Sequence, residues 1–214
     1  DKGWHGTATY GTFGAAAAAA KLLSLDAEQT ITALGIAATQ AAGLKSMFGT
    51  MCKPLHAGKA ASNGLLAARL AKKGFTSRMD AIECAQGFAA TQADGFRALP
   101  VSLAHNQKLA VEENLFKYHA SCYLTHAGIE AVKSLRDEHD VKVEQIKSVK
   151  QFVPKTHFSV CNIAEPATGL ETKFSMRHTA AMALAHVDTG SLGSYDDTMA
   201  NREDLVALRH KIEI

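Results

Sequence analysis

The sequence has no CxxC pair, and its four cysteines, Cys52, Cys84, Cys122 and Cys161, lie far apart. That spacing argues against a disulfide framework or a zinc finger and reads as reduced thiols in a cytosolic protein. There is no excess of one charge either. The formal net charge is +2 and the lysines are scattered rather than striped, which argues against nucleic acid as a partner. Long apolar runs are missing too. The longest uncharged stretch, Gly3 to Ala20, is rich in Gly, Thr and Ala and too weakly apolar to span a bilayer, so no membrane partner is expected. No leucine-rich core follows Lys2, so the opening does not read as a secretory signal. The glycine cluster GTATYGTFG has no GK[ST] and no preceding strand, unlike a P-loop or a dinucleotide fingerprint. A GxSxG elbow is absent, as is any repeat of fixed period.

What is present is the composition of an ordinary globular protein: 47% hydrophobic and 21% charged residues over 214 positions, long enough for a sizeable core in one domain or two. Ten histidines stand out, since they would add positive charge as pH falls through about 6.5. The chain opens at Asp1 directly in motif-like sequence, which suggests a piece of a longer protein.

The first hundred residues read as helices built from small side chains. FGAAAAAAKLLSL (Phe13 to Leu25) is a strong helix former. Asp26 with Gln29 makes a capping box for a helix running to about Ala42 and stopping at Gly43. Another helix is expected from about Gly58 to Lys73, with cations in its last turn and Gly74-Phe75 as a Schellman ending. Shorter helices are expected over Asp80 to Gln86 and Phe88 to Asp94. So much alanine lets helices approach closely, which suits a dense bundle.

After Arg97 the character changes. ALPVSLAHNQ reads as a linker. Ser121 to His139 is amphipathic, with Leu124, Val132 and Leu135 on one side. Val143 to Val153 is β-rich and ends at Pro154. Ser175 can cap a helix through Val187, and Asn201 another through about His210. KIEI at the end reads as a strand cut off before its partner. The expected architecture is mainly α: an all-α helical bundle domain over 1–105, then a smaller, incomplete α+β lid domain over 106–214.

One stretch reads as more than scaffold. FGTMCKPLHAGKAA (Phe48 to Ala61) sets two lysines and a histidine around Pro54 and Gly58, which are expected to shape a turn before an alanine-rich helix. Cations at a helix start suit an anion, because the opening N–H groups add positive potential. Together with GWHGTATYGTFGAAAAAAKLLSL (Gly3 to Leu25), the whole of Phe48 to Phe75, FKYHASCYLTHAGIEAV (Phe116 to Val132) and KFSMRHTAAMAL (Lys173 to Leu184), it resembles the MmgE/PrpD family. That family includes 2-methylcitrate dehydratase together with decarboxylases and epimerases. The likeness covers nearly the whole chain, although family members are much longer.

The resemblance implies a large helical domain with a smaller α+β lid, a cytoplasmic homodimer, no cofactor and no metal, and a small polycarboxylate as substrate. It implies proton transfer at a carbon next to a carboxylate, which needs fixed cations and a group that shuttles the proton. Taken alone, Lys53 is a solvated loop lysine; matched to the family's KPLH-type motif it is an active-site lysine that clamps a carboxylate. His5 taken alone is a turn residue, and matched to the GxH motif it is the principal acid/base, although Gly6 stands where decarboxylase-like members have proline. Lys117 matches a pocket lysine from the lid side. His178 stands where decarboxylase-like members have tyrosine, a proton-transfer group whose pKa differs by several units. His56 is either a second acid/base or a residue that hydrogen-bonds the turn. Lys59, expected in a helix's first turn, is either solvated or a further substrate contact.

His119, Cys122 and His126 have spacings that could place them on one helix face for zinc, but no fourth ligand is nearby. The leading reading is therefore a cofactor-independent lyase or epimerase that dehydrates, decarboxylates or epimerises a polycarboxylate. The alternative is a non-catalytic helical scaffold, or an inactive fragment of such an enzyme.

Overall fold

A computed structural model describes residues 2–96 and 109–214, and the expected linker ALPVSLAHNQ lies outside the described residues. The chain divides into two units, whose described residues are 2–47 with 51–96, and 48–50 with 109–214. The protein is mainly α, as its composition of helix formers implies, and no helix among the described residues is long and apolar enough to cross a membrane.

The first unit holds α1 (Gly6–Leu22), α2 (Ala27–Gln40), a 3₁₀ turn (Lys45–Met47), α3 (Cys52–Lys72) and α4 (Phe88–Gln92). The Asp26 box forms as expected. The Gln29 N–H donates to Asp26 Oδ1 at 2.8 Å and the Asp26 N–H to Gln29 Oε1 at 3.3 Å. At the end of α3, Phe75 N–H bonds Leu70 O and Gly74 N–H bonds Ala71 O, with Gly74 at φ +83°: the Schellman ending. The core is largely alanine, with Ala16, Ala19, Ala33, Ile36, Ala37, Ala67, Ala68 and Ala71 all buried. Such small side chains bring α1 and α3 almost backbone to backbone. A Cβ on Gly64 would lie 2.5 Å from Ala16 N and 2.7 Å from Thr12 O.

Several boundaries differ from the sequence reading. α1 starts at Gly6, seven residues before Phe13, so His5 is its N-cap rather than a loop residue. α3 starts at Cys52, not Gly58. Pro54 is tolerated because it lies in the first turn, where its missing N–H has no helical partner to lose. Gly58 sits inside the helix, with open space around it, rather than in a turn. Lys59 is therefore beyond the first turn, and the first-turn cation is Lys53. Residues 80–86 form consecutive turns instead of a helix.

The second unit contains α5 (His126–Glu138), β1 (Val149–Lys150), α6 (Lys155–Cys161), α7 (Gly169–Thr172), α8 (Met176–Leu184), α9 (Asp197–Ala200), α10 (Glu203–Arg209) and β2 (Ile212–Glu213). α8 is the central helix, buried at every residue except Arg177. Ser175 caps it as expected, its hydroxyl accepting the His178 N–H. Ile129 and Val132 of α5, Leu208 of α10 and Ile212 pack with Ala180, Ala181, Ala183 and Leu184.

KIEI does find a partner within the chain: β2 pairs in parallel with β1, Val149 opposite Ile212. The β-rich stretch 143–153 supplies only those two strand residues, because a 3₁₀ turn takes Val143–Gln145. Leu135 faces outward, while Ile129 lies on the buried face and the guanidinium of Arg136 donates to Ala183 O. Asn201 does not cap α10. Arg202 takes that place, and the Asn201 amide instead donates to Ala167 O and Asp197 O.

Candidate active site

In the first unit, two short segments lie side by side. Trp4 pairs with Leu44 in an antiparallel bridge, the His5 N–H donates to Gly43 O at 2.9 Å, and the Lys45 N–H donates to Gly3 O at 2.8 Å. Gly43, at φ +142°, makes this approach possible. A Cβ there would lie 2.4 Å from the Ala8 Cβ and 3.3 Å from the carbon edge of the His56 ring. The bridge thereby sets His5, at the mouth of α1, against the first turns of α3.

There His5 meets His56. Their Nδ1 atoms are 2.9 Å apart, with ring centroids at 5.1 Å and planes tilted by 50°. His5, His56, Lys53 and Lys45 are all half-buried, whereas Lys59 is exposed. The pKa of His5 is held below 6.5, first by burial and then by the neighbouring charges of His56, Lys53 and Lys45. Lowering by those groups places all of them in electrostatic reach of one imidazole. The result is a neutral base in a cationic corner, an arrangement that favours an anion carrying a transferable proton.

Sequence reasoning missed Lys45. It has no motif of its own, and its role comes from the pairing of residues 3–5 with 43–45. The available signal was a lone cation two residues beyond the helix-stopping Gly43, in a short segment between two helices.

The second unit holds the other two expected site residues. Lys117 is exposed and donates from Nζ to Ser121 O at 3.1 Å. His178 is fully buried on α8. Its pKa is pushed down to about 4, chiefly by burial and then by the charges of Arg209 and Arg202. Arg209 Nη1 lies 3.5 Å from His178 Nδ1 and donates toward it, so the ring carries its proton on Nε2. Arg209 is itself anchored by Glu165 at 2.6 Å and by Pro166 O at 3.3 Å. At ordinary pH His178 is thus a neutral donor, unable to act as a cationic clamp.

His119 pairs through Nδ1, 2.8 Å from Thr189 Oγ1, while its Nε2 lies 2.9 Å from Glu130 Oε1 without hydrogen-bond geometry. Cys122 and His126 do not join it in a ligand set, and among the described residues no group of three or more His, Cys, Asp or Glu is arranged to hold a metal ion.

Comparison with known proteins gives this geometry its context. Residues 1–98 match the MmgE/PrpD N-terminal domain and residues 119–214 the MmgE/PrpD C-terminal domain. The human cis-aconitate decarboxylase is 28% identical over 220 residues, covering 100% of this chain and 45% of that protein. The mouse cis-aconitate decarboxylase is 27% identical over 221 residues, covering 100% of the chain and 44% of its own length. An Aspergillus terreus cis-aconitate decarboxylase is 32% identical over 154 residues, covering 65% of the chain and 30% of its own length. The chain therefore spans less than half the length of these relatives. With both domain types matched in order along nearly its whole length, the chain belongs to the MmgE/PrpD family.

Proposed function

We propose that this chain is part of a cofactor-independent lyase or isomerase that acts on a small polycarboxylate by moving a proton at a carbon next to a carboxylate. The observation that carries the reading is the His5–His56 contact with Lys53 and Lys45 in electrostatic reach. Proton abstraction beside a carboxylate builds enolate-like charge, and fixed cations lower the free energy of that charge in the transition state. A neutral imidazole is suited to taking the proton near neutral pH. His5 is the principal acid/base in this reading. Lys53 binds a carboxylate and His56 and Lys59 contribute polar contacts, while for Lys117 and His178 the family resemblance alone implies a carboxylate clamp and a polar group. The same family resemblance implies a cytoplasmic homodimer.

The relatives' names make cis-aconitate the first substrate to test and decarboxylation the first reaction. Replacement of a tyrosine by His178 and of a proline by Gly6 keeps dehydration and epimerisation in the same test. Full-length protein is incubated with cis-aconitate, 2-methylcitrate and iminodisuccinate. Loss or gain of the conjugated acid is followed by ultraviolet absorbance, and product by mass spectrometry. Turnover of one of these acids, abolished in Lys53→Ala, is the expected result. A full-length protein that turns over none of them would instead be a scaffold.

A further inference from the structure

The His5–His56 contact has a consequence for protonation. Two imidazole Nδ1 atoms at 2.9 Å are at hydrogen-bond distance. Two lone pairs facing each other would repel, and two N–H groups would clash. One proton must therefore lie between them. The carbon edge of His56 lies toward Gly43, which leaves its Nδ1 edge toward His5, while the Gly43 carbonyl fixes the His5 backbone.

A neutral imidazole carries a single N–H. The ring that donates the bridging proton from Nδ1 therefore has a bare Nε2, and the ring that accepts it has its own proton on Nε2. The two rings must hold opposite tautomers. We infer that His5 and His56 form a single proton relay, which takes up a proton at the Nε2 of one ring and gives one up at the Nε2 of the other. This rests on the acid/base reading of the site proposed above.

The relay balances. The bare Nε2 takes a proton from the substrate carbon, and the electron pair of that C–H bond stays on the substrate beside its carboxylate. The bridging proton passes from one Nδ1 to the other. The second ring then releases its Nε2 proton to water at its own edge of the pair, and the reverse passage returns a proton to a substrate carbon. The pair ends neutral with its tautomers exchanged, and no oxidant or reductant is needed. Lys45 and Lys53 are the charged groups acting on His5 alongside His56, and they disfavour an extra proton resting on His5. A substrate carboxylate against those lysines would compensate the transient imidazolium.

Two measurements on the full-length protein test the inference. Neutron diffraction at neutral pD should show one deuteron between the two Nδ1 atoms and a second on only one of the two Nε2 atoms. Deuterons on both Nε2 atoms with none between the rings would overturn it, whether or not the protein turns over any acid. In kinetics, His56→Gln keeps a hydrogen-bonding side chain but cannot pass a proton. It should lower kcat by roughly 10²–10⁴-fold with KM changed by less than about threefold. Addition of imidazole to His56→Gly should restore part of that loss. An unchanged kcat in His56→Gln, or a loss expressed wholly in KM, would leave His56 a binding residue and overturn the relay. If the wild type turns over no polycarboxylate, the relay falls with the functional reading, while the neutron result still decides the shared proton.

Discussion

At the scale of single residues, the surroundings set each histidine's charge. His5 is neutral at pH 7 because burial, His56, Lys53 and Lys45 all disfavour its cation. If its neutral form is the base, kcat/KM should rise as pH increases through a value below 6.5 and then level off. Lys53→Ala removes one of the positive neighbours, though not the largest cause. That limb should move up toward 6.5 while the rate falls, and a limb that stays in place would separate Lys53 from His5. His178 shows the same effect more strongly, a buried imidazole held near pKa 4 against about 6.5 when unfolded. The unfolded chain then binds the extra proton first. The contribution to stability is full above pH 6.5 and is lost as pH falls toward 4, amounting to about 3 kcal/mol. Urea unfolding of full-length protein at pH 7.5 and pH 4.5 should show a larger loss for wild type than for His178→Gln. An equal loss in both would mean that His178 charges without cost.

At the scale of elements, α1 and α3 are held together by the absence of side chains. Gly64→Ala would thrust a methyl to within 2.7 Å of backbone atoms of α1. Separating the helices should cost about 1–3 kcal/mol, read as a lower urea midpoint at unchanged m-value. A midpoint equal to wild type would show that the two helices yield. The same elements show what was legible in the sequence. The Asp26 box, the Gly74-Phe75 ending and the Ser175 cap were readable because each is a local hydrogen-bond pattern carried by residues three to five apart. The start of α3 was not. Met51 provides no side-chain cap, and Pro54 looks like a helix breaker unless its first-turn position is known. Thr168, with Glu171 closing a capping box, is the local signal for α7. Only two residues of 143–153 are strand, because β-branched residues favour a strand only where a partner exists, and β2 reaches only Val149 and Lys150.

For the molecule as a whole, the mainly α character was legible from helix-former content, and the family from four separated motifs. The candidate site was legible only in part. His5, His56 and Lys53 lie in motifs, but their meeting depends on a bridge between residues 3–5 and 43–45 that no periodicity encodes, and Lys45 enters only through it. The central claim is that this corner of the first unit binds a polycarboxylate and moves its proton through His5. The most direct test uses full-length wild type and His5→Gln with the acid that the wild type turns over, measuring kcat by ultraviolet absorbance and binding by titration calorimetry. The expected result is a kcat reduced by roughly 10²–10⁴-fold, together with a Kd within about threefold of wild type, because the lysines that hold the carboxylates remain. A His5→Gln protein with the wild-type rate and the wild-type pH limb would contradict it.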